Sequence, residues 1–428
     1  MLERLFKLSE HGTRARTELV AGLTTFLTMS YIIFVNPQIL STTGMDRDAV
    51  FVATCLAAAV GSLTMAFVAN YPIGMAPGMG LNAFFAFTVV AAMGFTWQQA
   101  LGAVFISGVI FILLTATGVR AWLIAGIAPS LRSAIAAGIG LFLAIIALSS
   151  AGIIAANPAT IVGLGDLHSP KALLAVLGFL IIAVLDARGV RGAILIGILV
   201  VTVLSMLLGI NTFNGLVSTP PSLAPTFLQL DVMGALHVGL LQVILVFVLV
   251  EVFDATGTLM GVAKRAGLLE RTPNRLGRAL FADSAAITAG SLLGTSSTTA
   301  YIESASGVQA GGRTGLTALV VGVLFLVSLF LAPLAGSVPA YATAPALLYV
   351  AGLMMRELMD VHWDDVTEAV PAALTTLSMP FTYSIATGLA FGFISYVAIK
   401  TCTGRARQIH PAAWLIAILF FIRFAVIA

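Results

Sequence analysis

Apolar runs follow one another along almost the whole chain, and a hydrocarbon layer about 30 Å thick is crossed by roughly 20 apolar helical residues. In the first half the runs cover 17–36, 49–69, 72–93, 100–118, 133–148, 172–185 and 193–210. In the second they cover 237–262, 279–293, 295–311, 315–334, 341–355, 369–384 and 386–400, followed by an apolar tail from Pro411 to Ala428. Of the 428 residues 59% are apolar and 9% charged, with a mean hydropathy of +1.06. Soluble domains carry roughly 25% charged residues, so this chain has too little polar surface to cover a globule in water. A soluble enzyme, a disordered chain and a fibrous chain are all excluded. Several runs fall short of a full crossing, and 366–401 can be read as one interrupted element with the tail as the last crossing. The expectation is an all-α polytopic membrane protein of fourteen segments plus a tail.

The cations orient these segments. With the N-terminus in the cytoplasm, every Lys and Arg of the 21 faces inward except Arg47, Lys171 and Arg423. Cytoplasmic loops carry such an excess. The net charge of +3 then describes loops facing anionic lipid, and no nucleic-acid partner is implied. Residues 1–16 are charged and lack an apolar core, so no cleavable signal peptide is expected. Cys55 and Cys402 form no CxxC or Cys/His pattern, which suggests neither a disulfide nor a metal site.

A repeat lies under the pattern. The first segment opens near Thr17 and the third is broken by Pro77-Gly78-Met79-Gly80; a shift of 219 residues expects a segment opening near 236 and a break near 297. Segment eight does open near Leu236, and Thr295-Ser296-Ser297-Thr298-Thr299 interrupts segment ten. Seven segments separate the halves, so the second enters the membrane from the opposite face. Inverted repeats of this kind build secondary transporters, which hold substrate and coupling ion at the midplane beside broken helices.

Four acids fall deep within segments: Glu251, Asp254, Asp283 and Glu303. None has a basic residue at similar depth in its own helix, so no salt-bridge partner is expected. An ionisable side chain at the bilayer centre costs at least about 2.5 kcal/mol, which marks such residues as functional candidates. Desolvation favours a neutral carboxyl group, and such a group can carry a proton across. Asp254 sits among the small residues Ala255, Gly257 and Gly261, which leave room for a ligand or serve equally well as a helix-packing seam. Glu251, one turn earlier, either acts with Asp254 or faces a watery vestibule. Glu303 projects from the start of the half-helix created by the second break, where free N–H groups favour hydrogen-bond acceptors. Asp283 better suits a brace for a neighbouring broken segment. Asn82 offers an amide at the pseudo-symmetric position, or caps the re-entering half-helix. Tyr301, Phe84 and Phe85 could stack on a flat ring, although most of the 26 Phe are simply lipid-facing.

Ala76-Pro77-Gly78-Met79-Gly80-Leu81-Asn82-Ala83-Phe84-Phe85, Phe253-Asp254-Ala255-Thr256-Gly257-Thr258, Gly294-Thr295-Ser296-Ser297-Thr298-Thr299-Ala300-Tyr301-Ile302-Glu303-Ser304 and Gly311-Gly312-Arg313-Thr314-Gly315-Leu316-Thr317 together resemble the AzgA-like purine permeases of the nucleobase/ascorbate transporter superfamily. The resemblance runs from about Leu2 to Lys400. It implies a seven-plus-seven inverted repeat with core and gate domains: a cytoplasmic N-terminus at 1–16, core halves at 17–118 and 236–335, gate halves at 119–235 and 336–401, and a basic loop and tail at 402–428. It also implies proton-coupled uptake of a purine nucleobase across the inner membrane, often by a dimer, with no cofactor besides the coupling H+. Family substrate residues map onto Asp254, Glu303 and Asn82, with Gly80, Phe84, Thr298 and Tyr301 around them; Glu251 lies outside the matching motif.

Guanine and hypoxanthine carry, beside a C6 carbonyl, an N1–H from which an ionised carboxylate can accept, whereas adenine's N1 acceptor needs a protonated one. The Gly78–Asn82 string also looks more like the guanine/hypoxanthine branch. A channel, an anion transporter of the same fold and a membrane enzyme are the alternatives. The acidic site would repel an anion, and the histidines His11, His168, His237, His362 and His410 sit at loops or segment ends, away from any nucleophile pair. The threading itself is checked by labelling: a cysteine placed at Lys171 should react with a membrane-impermeant thiol reagent in intact cells, and one at Arg188 should not. The reverse pattern would invert the topology.

Overall fold

The computed structural model describes residues 2–236, 238–268 and 275–427, with the side chains of 121, 125, 238–240, 253, 254, 256, 423, 426 and 427 outside the described set. A short helix, α1 (Leu2–Phe6), precedes α2 (Ala15–Met29) and α3 (Ile32–Ser41), which together form the first apolar segment with a turn at Ser30-Tyr31. The Asp46 side chain caps α4 (Arg47–Thr64) by accepting from Ala49 N–H at 2.8 Å. The third segment is the strand β1 (Met75–Pro77), the helix α5 (Met79–Ala83) and a π-helical continuation over Phe84–Ala92. A capping box of Thr96 and Gln99 starts α6 (Trp97–Ala116). The half closes with α7 (Val119–Ala125), α8 (Pro129–Ser150), α9 (Pro170–Ala187) and α10 (Ala193–Leu207).

The second half contains α11 (Val232–Ala235), α12 (Val238–Arg265) and α13 (Leu276–Leu293), then the strand of the second break at Thr298–Ala300 and α14 (Ser304–Gln309). After it come α15 (Gly315–Ser328), α16 (Ala332–Ser337), α17 (Ala340–Met354), α18 (Val366–Phe381), α19 (Ile385–Cys402) and α20 (Pro411–Ile427). Among the described residues, eight helices are long and apolar enough to cross a membrane. The other segments read from the sequence correspond to helices that are shorter or, as with the 18-residue α13 that carries Arg278 and Asp283, less apolar.

The helices pack as two groups. One gathers α2, α4, α6, α12, α13, α14 and α15 around the two broken segments; the other gathers α8, α9, α10, α17, α18 and α19. They meet where α5 lies on α8, α3 on α17 and α2 on α10. Leu173, Val176, Leu177, Leu180 and Val184 on α9 stay exposed. Residues 366–401 form two helices, not one interrupted element: Gly388 faces Met379 and Gly392 faces Thr375, the sign of an antiparallel hairpin. The tail is a helix packed on α19.

Two elements depart from an all-helical reading. The loop after α8 forms an exposed hairpin of β2 (Ile154–Asn157) and β3 (Ile161–Leu164). The strands in the two broken segments pair with each other and are treated below.

Glu18 escaped the sequence reading as a buried acid because it lies near the start of its segment. It is fully buried, and its Oε1 accepts from Arg313 N–H at 2.8 Å. Oε2 accepts from Thr314 N–H at 3.3 Å and the Thr317 hydroxyl at 2.6 Å. The carboxylate therefore satisfies donors that the N-terminus of α15 leaves free, beside Asn70 Oδ1, which takes Gly315 N–H at 2.7 Å. The Gly311–Thr317 motif is thus a helix start locked to α2. Replacing Glu18 by Ala strands these buried donors and should cost about 2 to 3 kcal/mol. Thermal unfolding of the detergent-purified protein should show a lower midpoint; an unchanged one would contradict this role.

Candidate functional site

Pro77 has no N–H to donate, and Gly294 ends α13 in the left-handed region at a φ of 92° just before the Ser/Thr run 295–299, so both segments leave the helix here. In hydrocarbon the freed backbone groups need protein partners. They find each other. The strand β4 (Thr298–Ala300) pairs antiparallel with β1 in the register Met75 to Ala300, Ala76 to Thr299 and Pro77 to Thr298. The pairing extends at both ends, with Gly78 N–H donating to Ser297 O at 2.8 Å and Tyr301 N–H to Gly74 O at 3.0 Å. Side chains complete it: Ser62 Oγ accepts from Met75 N–H at 2.9 Å, Ser304 Oγ from Gly74 N–H at 3.0 Å, and the Tyr301 hydroxyl donates to Pro77 O at 2.6 Å.

Polar side chains collect around this crossing. Asn82 on α5 is fully buried and its Oδ1 accepts from Ser296 Oγ; its amide nitrogen has no partner among the described residues. Glu251 on α12, also fully buried, accepts from Ser297 Oγ at 2.6 Å. Its Oε2 accepts no hydrogen bond of good geometry among the described residues, although the Ser107 hydroxyl lies close by. Neighbouring serines of the second break thus tie down an amide and a carboxylate, leaving on each an atom that can still donate or accept. Glu303 stands at the N-cap of α14, where its Oε1 accepts from the Tyr31 hydroxyl at 2.7 Å. Asn36 donates to Thr54 Oγ1 at 2.8 Å and Thr295 Oγ1 at 2.9 Å, fixing the approach to the second break.

The structure therefore brings Asn82 and Glu251 onto the Ser296-Ser297 turn and sets Glu303 against Tyr31. Asp254 lies on α12, but its side chain is outside the described residues. Gly257 and Gly261 on the same helix have open space where a Cβ would stand, with no described atom within 4 Å, so they do not form a tight seam there. Gly80 does: a Cβ there would come within 2.5 Å of Ile139 Cγ2 on α8. Phe84 packs edge-on against Phe247, centroids 5.3 Å apart. Tyr301 is held to Pro77 by its hydroxyl, and Thr298 faces Gly290 on α13, where a Cβ would lie 2.5 Å from its Oγ1.

Asp283 corrects two expectations. It has a salt-bridge partner, Arg120 Nη2, at 3.3 Å from its Oδ2. Arg120, expected in a cytoplasmic loop, is 1% exposed. A search along the same helix misses the pair because the cation comes from α7, a connector between other segments. Asp283 Oδ1 accepts from Ala300 N–H at 3.3 Å and Thr299 Oγ1 at 3.2 Å, so this acid braces β4. Tyr31 and Asn36 also went unnoticed, each a lone polar residue in the first segment with no local pattern to mark it.

The "Permease family" profile Xan_ur_permease matches residues 16–391. "Adenine permease AdeP" of Escherichia coli is 53% identical over 99% of this chain and 96% of its own length. "Guanine/hypoxanthine permease PbuO" of Bacillus subtilis is 47% identical over 98% and 99%. Among solved structures, the transmembrane domain of the cyanobacterial bicarbonate transporter BicA aligns with a TM-score of 0.65 at 18% identity, covering 90% of this chain and 96% of that one. The murine anion transporter Slc26a9 in its inward-facing state also aligns at 0.65, with 11% identity over 91% of this chain and 68% of its own. These two share the inverted-repeat fold alone. With its broken segments paired at mid-membrane and its motifs matched from end to end, the chain belongs to the Xan_ur_permease family of the nucleobase/ascorbate transporter superfamily, and it is a transporter rather than an enzyme.

Proposed function

We propose that this protein imports a purine nucleobase across the inner membrane, N-terminus in the cytoplasm, by proton symport. The observation that carries the reading is the pairing of Asn82 and Glu251 with the adjacent Ser296 and Ser297. It puts an amide donor and a carboxylate acceptor, each with an atom lacking a described partner, at a mid-membrane crossing of two broken segments. A flat heterocycle edged with alternating donors and acceptors is the cargo such a site suits. Around the crossing Glu251, Asp283 and the partly buried Glu303 share one paired guanidinium, which disfavours an anion despite the fold shared with anion transporters.

Glu251, Glu303 and Asp254 are the candidates to carry the proton; Asp283 is committed to Arg120. In symport, purine and proton each bind better when the other is present, and the conformers that cross are the doubly loaded and the empty ones. One helix group, centred on the paired breaks, moves against the other. The contacts to be remade include Thr88 Oγ1 to Tyr383 O at 3.1 Å and Arg191 Nη1 to Thr24 Oγ1 at 3.2 Å.

For the base itself, guanine and hypoxanthine suit an ionised carboxylate. Adenine is the second reading, favoured by the greater identity to the relatives named adenine permeases. It also has a chemical basis: a protonated carboxyl group donates to adenine N1 and accepts from its 6-amino group, and a loaded symporter carries its proton at such a group.

In cells lacking their own purine uptake, the protein should accumulate labelled hypoxanthine or adenine uphill and chemically unchanged. A protonophore should reduce this to equilibration, and the better competitor of the two bases names the cargo. Accumulation indifferent to the protonophore would rule out proton coupling, and bicarbonate or sulfate uptake in its place would revive the anion reading. Glu303→Gln should lower accumulation at least tenfold, about 1.4 kcal/mol or more, while the protein remains in the membrane. Uptake like wild type would remove Glu303 from the site.

A further inference from the structure

Arg120 opens α7, the short helix that joins α6 of one helix group to α8 of the other. Its guanidinium is held on three sides. Nη2 lies 3.3 Å from Asp283 Oδ2, Nη1 donates to Leu280 O at 3.0 Å, and its carbon sits 4.0 Å from the centroid of the Phe111 ring. The Asp283 carboxylate is thereby divided: one oxygen faces the cation, and the other accepts from Ala300 N–H and Thr299 Oγ1 on β4. Bonds to an ionised acceptor are stronger than neutral ones, and a buried carboxylate stays ionised only with a partner. The strength of Asp283's hold on β4 therefore depends on a residue of α7.

That strand leads directly into Tyr301 and Glu303. Glu251 reaches the same break through Ser297 Oγ at 2.6 Å and makes no ion pair among the described residues. At its far end α7 meets the tail helix, with Trp122 and His410 rings 5.3 Å apart. The brace thus sits on the connection between the two helix groups.

We propose that Arg120 is a positioning residue for transport: by neutralising Asp283 it fixes β4, and with it Glu303, in register, leaving Glu251 and Glu303 as acids with no counter-charge among the described residues. The pair is a permanent structural dipole and takes no part in carrying the proton. This inference rests on the purine-uptake reading only for its kinetic readout.

The test compares wild type, Arg120→Gln, and the double variant Arg120→Gln/Asp283→Asn. Hydrogen–deuterium exchange of the peptide containing 298–303, measured on detergent-purified protein, needs no knowledge of the cargo. Arg120→Gln should speed exchange of this peptide at least fivefold, and the double variant, which has no stranded charge and keeps an acceptor for Ala300 N–H, should return toward wild type. In cells, Arg120→Gln should raise the KM for purine uptake at least fivefold at matched membrane abundance, with the double variant within about threefold of wild type. Unchanged exchange in Arg120→Gln, a double variant no better than the single one, or a loss of uptake explained wholly by abundance at unchanged KM would each overturn the proposal. Were wild type to carry no purine, the functional reading would fall while the exchange data still decided this one.

Discussion

A peptide group stripped of its helix in the middle of a bilayer has no water to turn to, and that constraint shapes this protein. Both halves of the repeat break their third segment, so two sets of orphaned N–H and C=O groups arise at the same depth. Each set meets the other's demand across three residue pairs from Met75–Ala300 to Pro77–Thr298, extended by Gly78 and Tyr301. The inverted symmetry makes this work, since segments entering from opposite faces meet as antiparallel strands. Everything polar nearby is arranged on that frame, and the half-helices α5 and α14 leave it in opposite directions.

The buried and partly buried acids divide by what satisfies them. Glu18 accepts two backbone N–H groups and a hydroxyl at the start of α15, and Asp283 has a guanidinium, a backbone N–H and a hydroxyl. Both are fully engaged in holding elements together. Among the described residues, Glu251 has one good hydrogen bond, from Ser297, and Glu303 takes one from Tyr31. An acid with so few fixed partners can change its proton and its ligand without dismantling the fold, which separates the candidates for transport from the braces.

Much of this was legible from residues alone. The two breaks, at Pro77–Gly80 and Thr295–Thr299, follow from proline chemistry, small-residue runs and the spacing of the repeat, and the brace role of Asp283 follows from its place beside a break. What escaped had no local signature. Pairing between residues 75 and 300 is a long-range event that propensity does not encode. Arg120 looked like one of many cytoplasmic cations because its partner lies 163 residues away. Glu18 reads as an ordinary first-turn acid, although the Gly311–Thr317 motif it caps is one of the strings that resemble the family, with no task attached to it. α18, 16 residues long, matches the run read at 369–384 but is shorter than a full crossing.

The most direct test is a structure of the protein solved with bound adenine or hypoxanthine. The ring should lie against the β1–β4 crossing, between the starts of α5 and α14, with polar edges within hydrogen-bonding distance of Asn82 and of at least one of Glu251, Asp254 and Glu303. A base seated elsewhere, with Asn82 and these carboxyl groups turned away and no hollow between the broken helices, would contradict the assignment of the site.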